Sequence, residues 1–274
     1  MVRTFLVRGM LVGIVAGLLS FAFLKVYGEP QVDRAIAFET QQDEAKEAAQ
    51  KAESHGAAAH ADHDHASAAH NHEAEASPHT ADHDEPELVS RPVQAGLGLF
   101  VAVLVYSAAF GGLFGLAFAL AYGRTASALT PQALAAVIAL TGFVAIYLVP
   151  NLKYPANPPA VGEPETIGVR TALYFVMIAI SLAAMIVSLT AKRLFVARFG
   201  EWGANLLVAA CYIVLVAIAG LLLPSVNEVP EQFPATVLWN FRIASIGAQL
   251  IMWATLGLLF GALSRRGAEY QPQS

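Results

Sequence analysis

Six stretches of the chain contain no Asp, Glu, Lys, Arg or His: residues 9–24, 92–123, 125–152, 171–191, 202–227 and 243–264. An α-helix needs about 20 mostly apolar residues, within a range of about 17–25, to cross the hydrocarbon of a bilayer. The last five runs reach that length outright. The first is short, but Lys25 can snorkel from a helix end, and Val26 and Tyr27 extend it. The pattern predicts six transmembrane helices, at roughly 6–27, 95–122, 132–150, 170–190, 204–223 and 241–263. Membrane β-strands alternate apolar and polar residues over about ten positions, which these continuous runs do not. Composition agrees: 56% of the 274 residues are hydrophobic and 14% charged, against about 25% charged in a soluble domain. The expected fold class is an all-α polytopic membrane helix bundle. Residues 1–27 form its first transmembrane helix, 28–92 an acidic loop, 93–264 a five-helix bundle and 265–274 a tail. The first run also reads as a cleaved secretory signal, since Arg3 and Arg8 precede it; cleavage would leave five spans. The lack of a clear A-x-A site, and Lys25 in the cleavage region, weigh against that reading.

Charge divides the chain in two. Residues 28–92 hold fifteen Asp or Glu and four Lys or Arg, while the remainder carries a net +6. In a six-span arrangement Arg3, Arg8, Arg124, Lys192, Arg193, Arg198, Arg265 and Arg266 fall on the side of the termini, and nineteen of the twenty-one acids fall opposite. Basic residues in short loops mark the cytoplasmic face. The expectation is an inner (plasma) membrane protein with both termini cytoplasmic and an acidic face outside. Three small-residue steps, Gly9/Gly13/Gly17, Gly111/Gly115 and Gly257/Gly261, are spaced for close helix contact within the bundle.

All eight histidines lie between 55 and 83. Residues 39–54 (ETQQDEAKEAAQKAES) read as a short exposed helix, with Glu and Lys interleaved and Ala between. The stretch that follows has almost no large apolar residue, so it has no core to form and is expected to be disordered without a ligand. ADHD occurs twice in it, at 61–64 and 81–84. Imidazole beside carboxylate suits Zn, Ni, Co or Cu(II), and His55, His60, Asp62, His63, Asp64, His65, His70, His72, His79, Asp82, His83 and Asp84 are the candidate metal ligands. Cys211 is the one cysteine, which excludes an internal disulfide or a Cys-based metal site within one chain.

Three proline-rich segments follow the odd-numbered helices and therefore share the histidine side: YGEPQVD (27–33), VPNLKYPANPPAVGEPETIG (149–168) and LPSVNEVPEQFP (223–234). Irregular backbone at membrane depth is tolerated where it is buried in protein or lines a water-filled cavity. Polar groups there are costly and mark pathways. Glu29, Asp33, Lys153, Asn157, Glu163, Asn227, Glu228 and Arg242 are accordingly the candidate transport residues, with Arg170 and Arg242 expected to pair with the acids.

The same segments carry a family resemblance. The N-terminal glycine helix running into YGEPQVD, SRPVQAGLGLF (90–100), YLVPNLKYPANPPAVGEPETIG (147–168) and LLLPSVNEVPEQFPATVLWNFRIASIGAQLIMWATLGLLFG (221–261) resemble the CbtA family of cobalt transporter subunits. The likeness spans nearly the whole chain except about residues 39–88. It implies cobalt uptake linked to cobalamin supply, cobalt as transported ligand with no tightly bound cofactor, and a small membrane subunit bearing histidines as companion.

The functional expectation is a divalent metal-ion transporter subunit, most readily for cobalt, with the histidine loop collecting ions at the outer mouth. The alternative is a membrane-anchored metal-binding or sensing module that hands ions to a separate permease. No G-x-x-x-x-G-K-[ST] occurs, so ATP hydrolysis by that route is not expected of this chain. Neither H-E-x-x-H nor G-x-S-x-G is present, and the expectation is a non-enzyme. No basic surface favours nucleic acid.

Overall fold

The structure, a computed structural model, describes residues 2–59, 89–125 and 129–269. Its elements are α1 (Val2–Phe23), α2 (Glu29–Ala59), α3 (Arg91–Val93), α4 (Leu99–Thr125), α5 (Pro131–Gly142), α6 (Val149–Lys153), α7 (Ile167–Leu222) and α8 (Ala235–Glu269), with no strand among the described residues. Five of the resulting helical runs are long and apolar enough to cross a membrane. One of them is long enough to do so twice. At 56 residues α7 would extend about 84 Å at 1.5 Å per residue, against about 30 Å of hydrocarbon, and it is broken at Gly200 (φ 68°, ψ 177°). Its two arms fold back on each other: Ser181 and Tyr212 hydrogen-bond across them at 2.8 Å, and Lys192 meets Glu201 at 2.9 Å beside the turn. The buried residues of the two arms fall at helical spacing, Met177, Ser181, Ala184 and Ser188 on one and Ala204, Val208, Tyr212 and Ala219 on the other. The polytopic all-α bundle with six apolar passes therefore stands.

Glycine decides the central contact. A Cβ on Gly9 would strike the Gly111 carbonyl, one on Gly13 the Ser107 carbonyl, and one on Gly115 the Phe5 carbonyl. The small-residue steps of α1 and α4 thus face each other inside the bundle and bring two backbones into contact. α8 repeats the device on α5, where Gly257 meets Ala139 and Gly261 meets Gln132 and Ala135. Around these seams a core of Val12, Ala16, Phe114, Phe118, Leu134, Met252, Leu256 and Phe260 is closed to solvent. Arg8 donates to Ser264 at 3.5 Å, which places the start of α1 and the last turns of α8 at one end of the bundle.

At the opposite end the chain departs from the sequence expectation. The first helix does not stop near Tyr27. It runs through a single π-helical turn, Leu24–Gly28, straight into α2. The reason lies in the position of Pro30. Proline has no N–H for the carbonyl four residues back and its ring crowds that carbonyl. The widened turn, closed by the Glu29 N–H on the Leu24 carbonyl, relieves that clash in place. The same solution recurs at Pro150, which follows the π turn Phe143–Leu148 and opens α6. Residues 29–59, read from sequence as a loop with a separate helix at 39–54, are therefore one continuous helix of about 46 Å. His55 stands on that helix about 39 Å beyond Glu29. The other seven histidines, with Asp62, Asp64, Asp82 and Asp84, lie outside the described residues.

Candidate functional site

The chain leaves α6 through a segment whose turns are held by side chains rather than by regular structure. Asn151 is 5% exposed, and its Oδ1 accepts the Ala156 N–H at 3.2 Å, turning the backbone just after the helix ends. Two residues of that segment take positive φ, Ala160 at 63° and Gly162 at 115°, a conformation that costs an alanine energy and suits glycine. Gly162 also lies directly against the Arg170 guanidinium, which a Cβ at this position would penetrate. The connection from α7 to α8 crosses over this segment and is tied to it twice, by Tyr154 Oη donating to the Pro224 carbonyl at 2.8 Å and by Lys153 Nζ donating to Ser225 Oγ at 3.1 Å.

Glu228 completes the join. Its Oε2 accepts the Glu163 N–H at 2.9 Å and the Thr166 hydroxyl at 2.9 Å. Arg170 Nε stands 3.3 Å from the same oxygen as an ion pair, without the alignment of a hydrogen bond. The carboxyl is 15% exposed. The Glu163 N–H first, then the Thr166 hydroxyl, and to a smaller extent Arg170, hold it below the usual carboxylate range against the opposing effect of desolvation. On the facing side Arg242, from α8, donates to Asn157 Oδ1 at 2.9 Å and to the Ala156 carbonyl at 3.3 Å.

Between these two clusters lies a cavity of about 480 Å³, open at the end of the bundle away from the termini. Tyr147, Asn151 and Tyr154 line it from the α5–α6 side, Arg170, Thr171 and Tyr174 from α7, and Asn227, Glu228 and Arg242 from the connection to α8 and α8 itself. The foot of α2 packs on the loops that frame it. Phe38 meets the Phe233 ring edge-on at 5.1 Å, and Ala35, Val161, Phe233 and Val237 form a small closed cluster. The helix that leads to the histidines is thus seated on the loops around the cavity.

Compared with known families, residues 2–265 match the model of the family described as "Probable cobalt transporter subunit (CbtA)". The chain belongs to the CbtA family. No curated protein and no solved structure matches it. As a CbtA member it is a cobalt transporter subunit, a membrane protein whose transported substrate is a cobalt ion.

Of the transport residues expected from the CbtA sequence, Asn157, Asn227, Glu228 and Arg242 line this one cavity. Glu163 serves it through its backbone N–H, and Lys153 stands beside it on Ser225. Glu29 and Asp33 are elsewhere. Both bind Arg91, at 2.7 and 2.9 Å, at the foot of α2. Glu29 faces a second cavity of about 260 Å³ between the α1–α2 junction, α4 and α8, shared with Ser245 and Gln249. Tyr147 Oη and Ser245 Oγ, 2.7 Å apart, form part of the wall between the two cavities. The expected pairing of Arg170 with an acid is present, but Arg242 binds an amide and a carbonyl instead of the acid expected for it. Arg91, Tyr147, Asn151, Tyr154 and Thr166 were not foreseen. The signal for three of them was there: positions 147, 151 and 154 are spaced to fall on one face of a helix. Among the described residues no three His, Cys, Asp or Glu side chains gather into a metal-holding group.

Proposed function

We propose that this chain is the membrane-embedded subunit of a cobalt uptake system serving cobalamin synthesis. The cavity between Asn157, Glu228 and Arg242 is its mouth on the outer face of the inner membrane, and the termini are cytoplasmic. The observation that supports this reading most is the seating of α2 on the loops of the cavity through Phe38 and Phe233. One helix then links the transmembrane bundle, the cavity and the histidine-bearing segment, so that ions collected on imidazoles and carboxylates are held near the mouth. A small histidine-bearing membrane subunit is the companion that would accept or deliver the ion, and no catalytic step is assigned to the chain.

Uptake of labelled Co, Ni and Zn into proteoliposomes, with and without the companion, tests the proposal. Deletion of 55–83 should raise the metal concentration needed for half-maximal uptake and leave the maximum nearly unchanged. Glu228→Gln and Asn227→Ala should lower the maximum in protein that is still inserted. The reverse pattern would move the route out of the cavity. A second reading, a collector that hands ions to a separate permease, draws on the length of α2, which carries His55 about 26 Å beyond Phe38. It predicts metal binding without uptake when this chain is reconstituted alone.

A further inference from the structure

The charge and donor pattern of the cavity suits an anion better than a bare cation. Its lining holds three ionised groups, Arg170, Arg242 and Glu228, for a net charge of +1. Three of the oxygens that could serve as metal ligands are engaged with protein donors. Glu228 Oε2 has three partners, Asn157 Oδ1 takes Arg242, and Asn151 Oδ1 takes the Ala156 N–H. A bare divalent ion needs several such oxygens at once. Here it would have to displace those bonds and then sit beside two guanidinium groups. A guanidinium presents a planar fork of donors that matches a carboxylate with two parallel bonds. The volume, about 480 Å³, falls in the range of about 300–1,000 Å³ typical of small-molecule sites. A single water occupies about 30 Å³, so the space is far larger than a dehydrated ion needs. Three tyrosines, Tyr147, Tyr154 and Tyr174, give it walls suited to an organic body.

We propose that this cavity binds an oligocarboxylate anion, with Arg242 and Arg170 as the recognising groups, and that cobalt enters it as the carboxylate chelate rather than as the bare ion. The proposal rests on the reading of this cavity as the mouth of the route. Cobalt(II) bound by a fully ionised tricarboxylate keeps one net negative charge. Its coordination is supplied by the chelator and water, so the protein needs only to recognise carboxylate oxygens. The histidine segment and the cavity then have different tasks, the first binding free or exchangeable metal, the second admitting the anionic complex.

The test is equilibrium binding of labelled citrate to the full-length chain in nanodiscs, with unlabelled citrate, cobalt citrate and cobalt chloride as competitors. Saturable citrate binding is expected. Arg242→Gln should weaken it about tenfold or more, since a charge-assisted pair is lost, and Arg242→Lys should restore part of the loss. Thr171→Glu, at an exposed cavity position, adds a carboxylate without removing any existing bond. It should weaken citrate binding as strongly, which keeps the test valid if Arg242→Gln does not fold. Cobalt citrate displacing the label better than citrate assigns the chelate. Equal or weaker displacement overturns the chelate and retains the free acid as ligand. No saturable citrate binding, binding unchanged in both variants, or tighter cobalt chloride binding in Thr171→Glu would overturn the anion assignment. Cobalt uptake that persists without any citrate binding would sink this inference and leave the transport reading standing. Intact citrate binding without cobalt uptake would do the opposite.

Discussion

Gly162 is where backbone conformation and charge placement meet, and Gly162→Ala is the most informative single change. Two effects act together. At φ 115° the backbone is outside the range an alanine adopts readily, and holding a non-glycine residue in such a region costs about 1–3 kcal/mol. The new Cβ also falls within the Arg170 guanidinium. That group cannot retreat freely, because it is bound to the Glu163 carbonyl at 3.3 Å and paired with Glu228 at 3.3 Å. Displacing it removes one of the three partners of Glu228 and loosens the join between the two loops. The expected result is a loss of about 1–3 kcal/mol of stability, seen as a lower thermal midpoint in detergent, together with reduced maximal cobalt uptake. Gly168→Ala is the control. No heavy atom lies within 4 Å of its Cβ position, and it sits in the first turn of α7, where alanine in place of glycine should be neutral or favourable by up to about 1 kcal/mol. If Gly162→Ala matches Gly168→Ala in both midpoint and uptake, the reasoning about Arg170 and this turn is wrong.

Three further outcomes are expected. Gly111→Val should destabilise far more than Gly220→Ala, since Gly111 faces the Gly9 carbonyl and Gly13 while nothing lies within 4 Å of Gly220; overpacking of a tight contact costs about 1–3 kcal/mol or more, and thermal unfolding in detergent measures it. Because the Glu228 pKa is lowered from 4.5 in the folded chain, its stabilising contribution is fully present above that value and is lost as pH falls through the lower folded pKa. Stability should therefore lose this contribution only on acidification below about pH 4.5, and the Glu228→Gln variant should lack that acid-dependent component. Ser67→Cys, in a background where Cys211 is Ala, should be labelled by a membrane-impermeant thiol reagent in intact cells; labelling only after permeabilisation would invert the topology proposed for the acidic segment.

The number of apolar passes and the helix-packing glycines were legible in the amino-acid order, because both depend on local composition. Hydrocarbon thickness sets a length that a charge-free run either reaches or does not, and a Gly-x-x-x-Gly step puts two bare backbones on one helix face wherever it occurs. The fold-back of α7 was legible for the same reason, since Lys192, Arg193, Arg198 and Glu201 separate two runs that cannot both lie in one span. The proline of YGEPQVD was misleading. It reads as the end of a helix, whereas a π turn absorbs Pro30 and lets α1 continue into α2. The partners of the charged groups were out of reach from sequence. Arg91 meets Glu29 across 62 positions, Arg242 meets Asn157 across 85 and Glu228 meets Thr166 across 62. Such pairings are set by how the loops cross at the end of the bundle, which hydropathy does not encode. Sequence alone pointed to polar residues, four of which the fold gathers around one cavity of a six-pass membrane protein. Only the tertiary structure decided that Glu228 and Asn157 accept from donors of the neighbouring segments, around a cavity lined with a net positive charge.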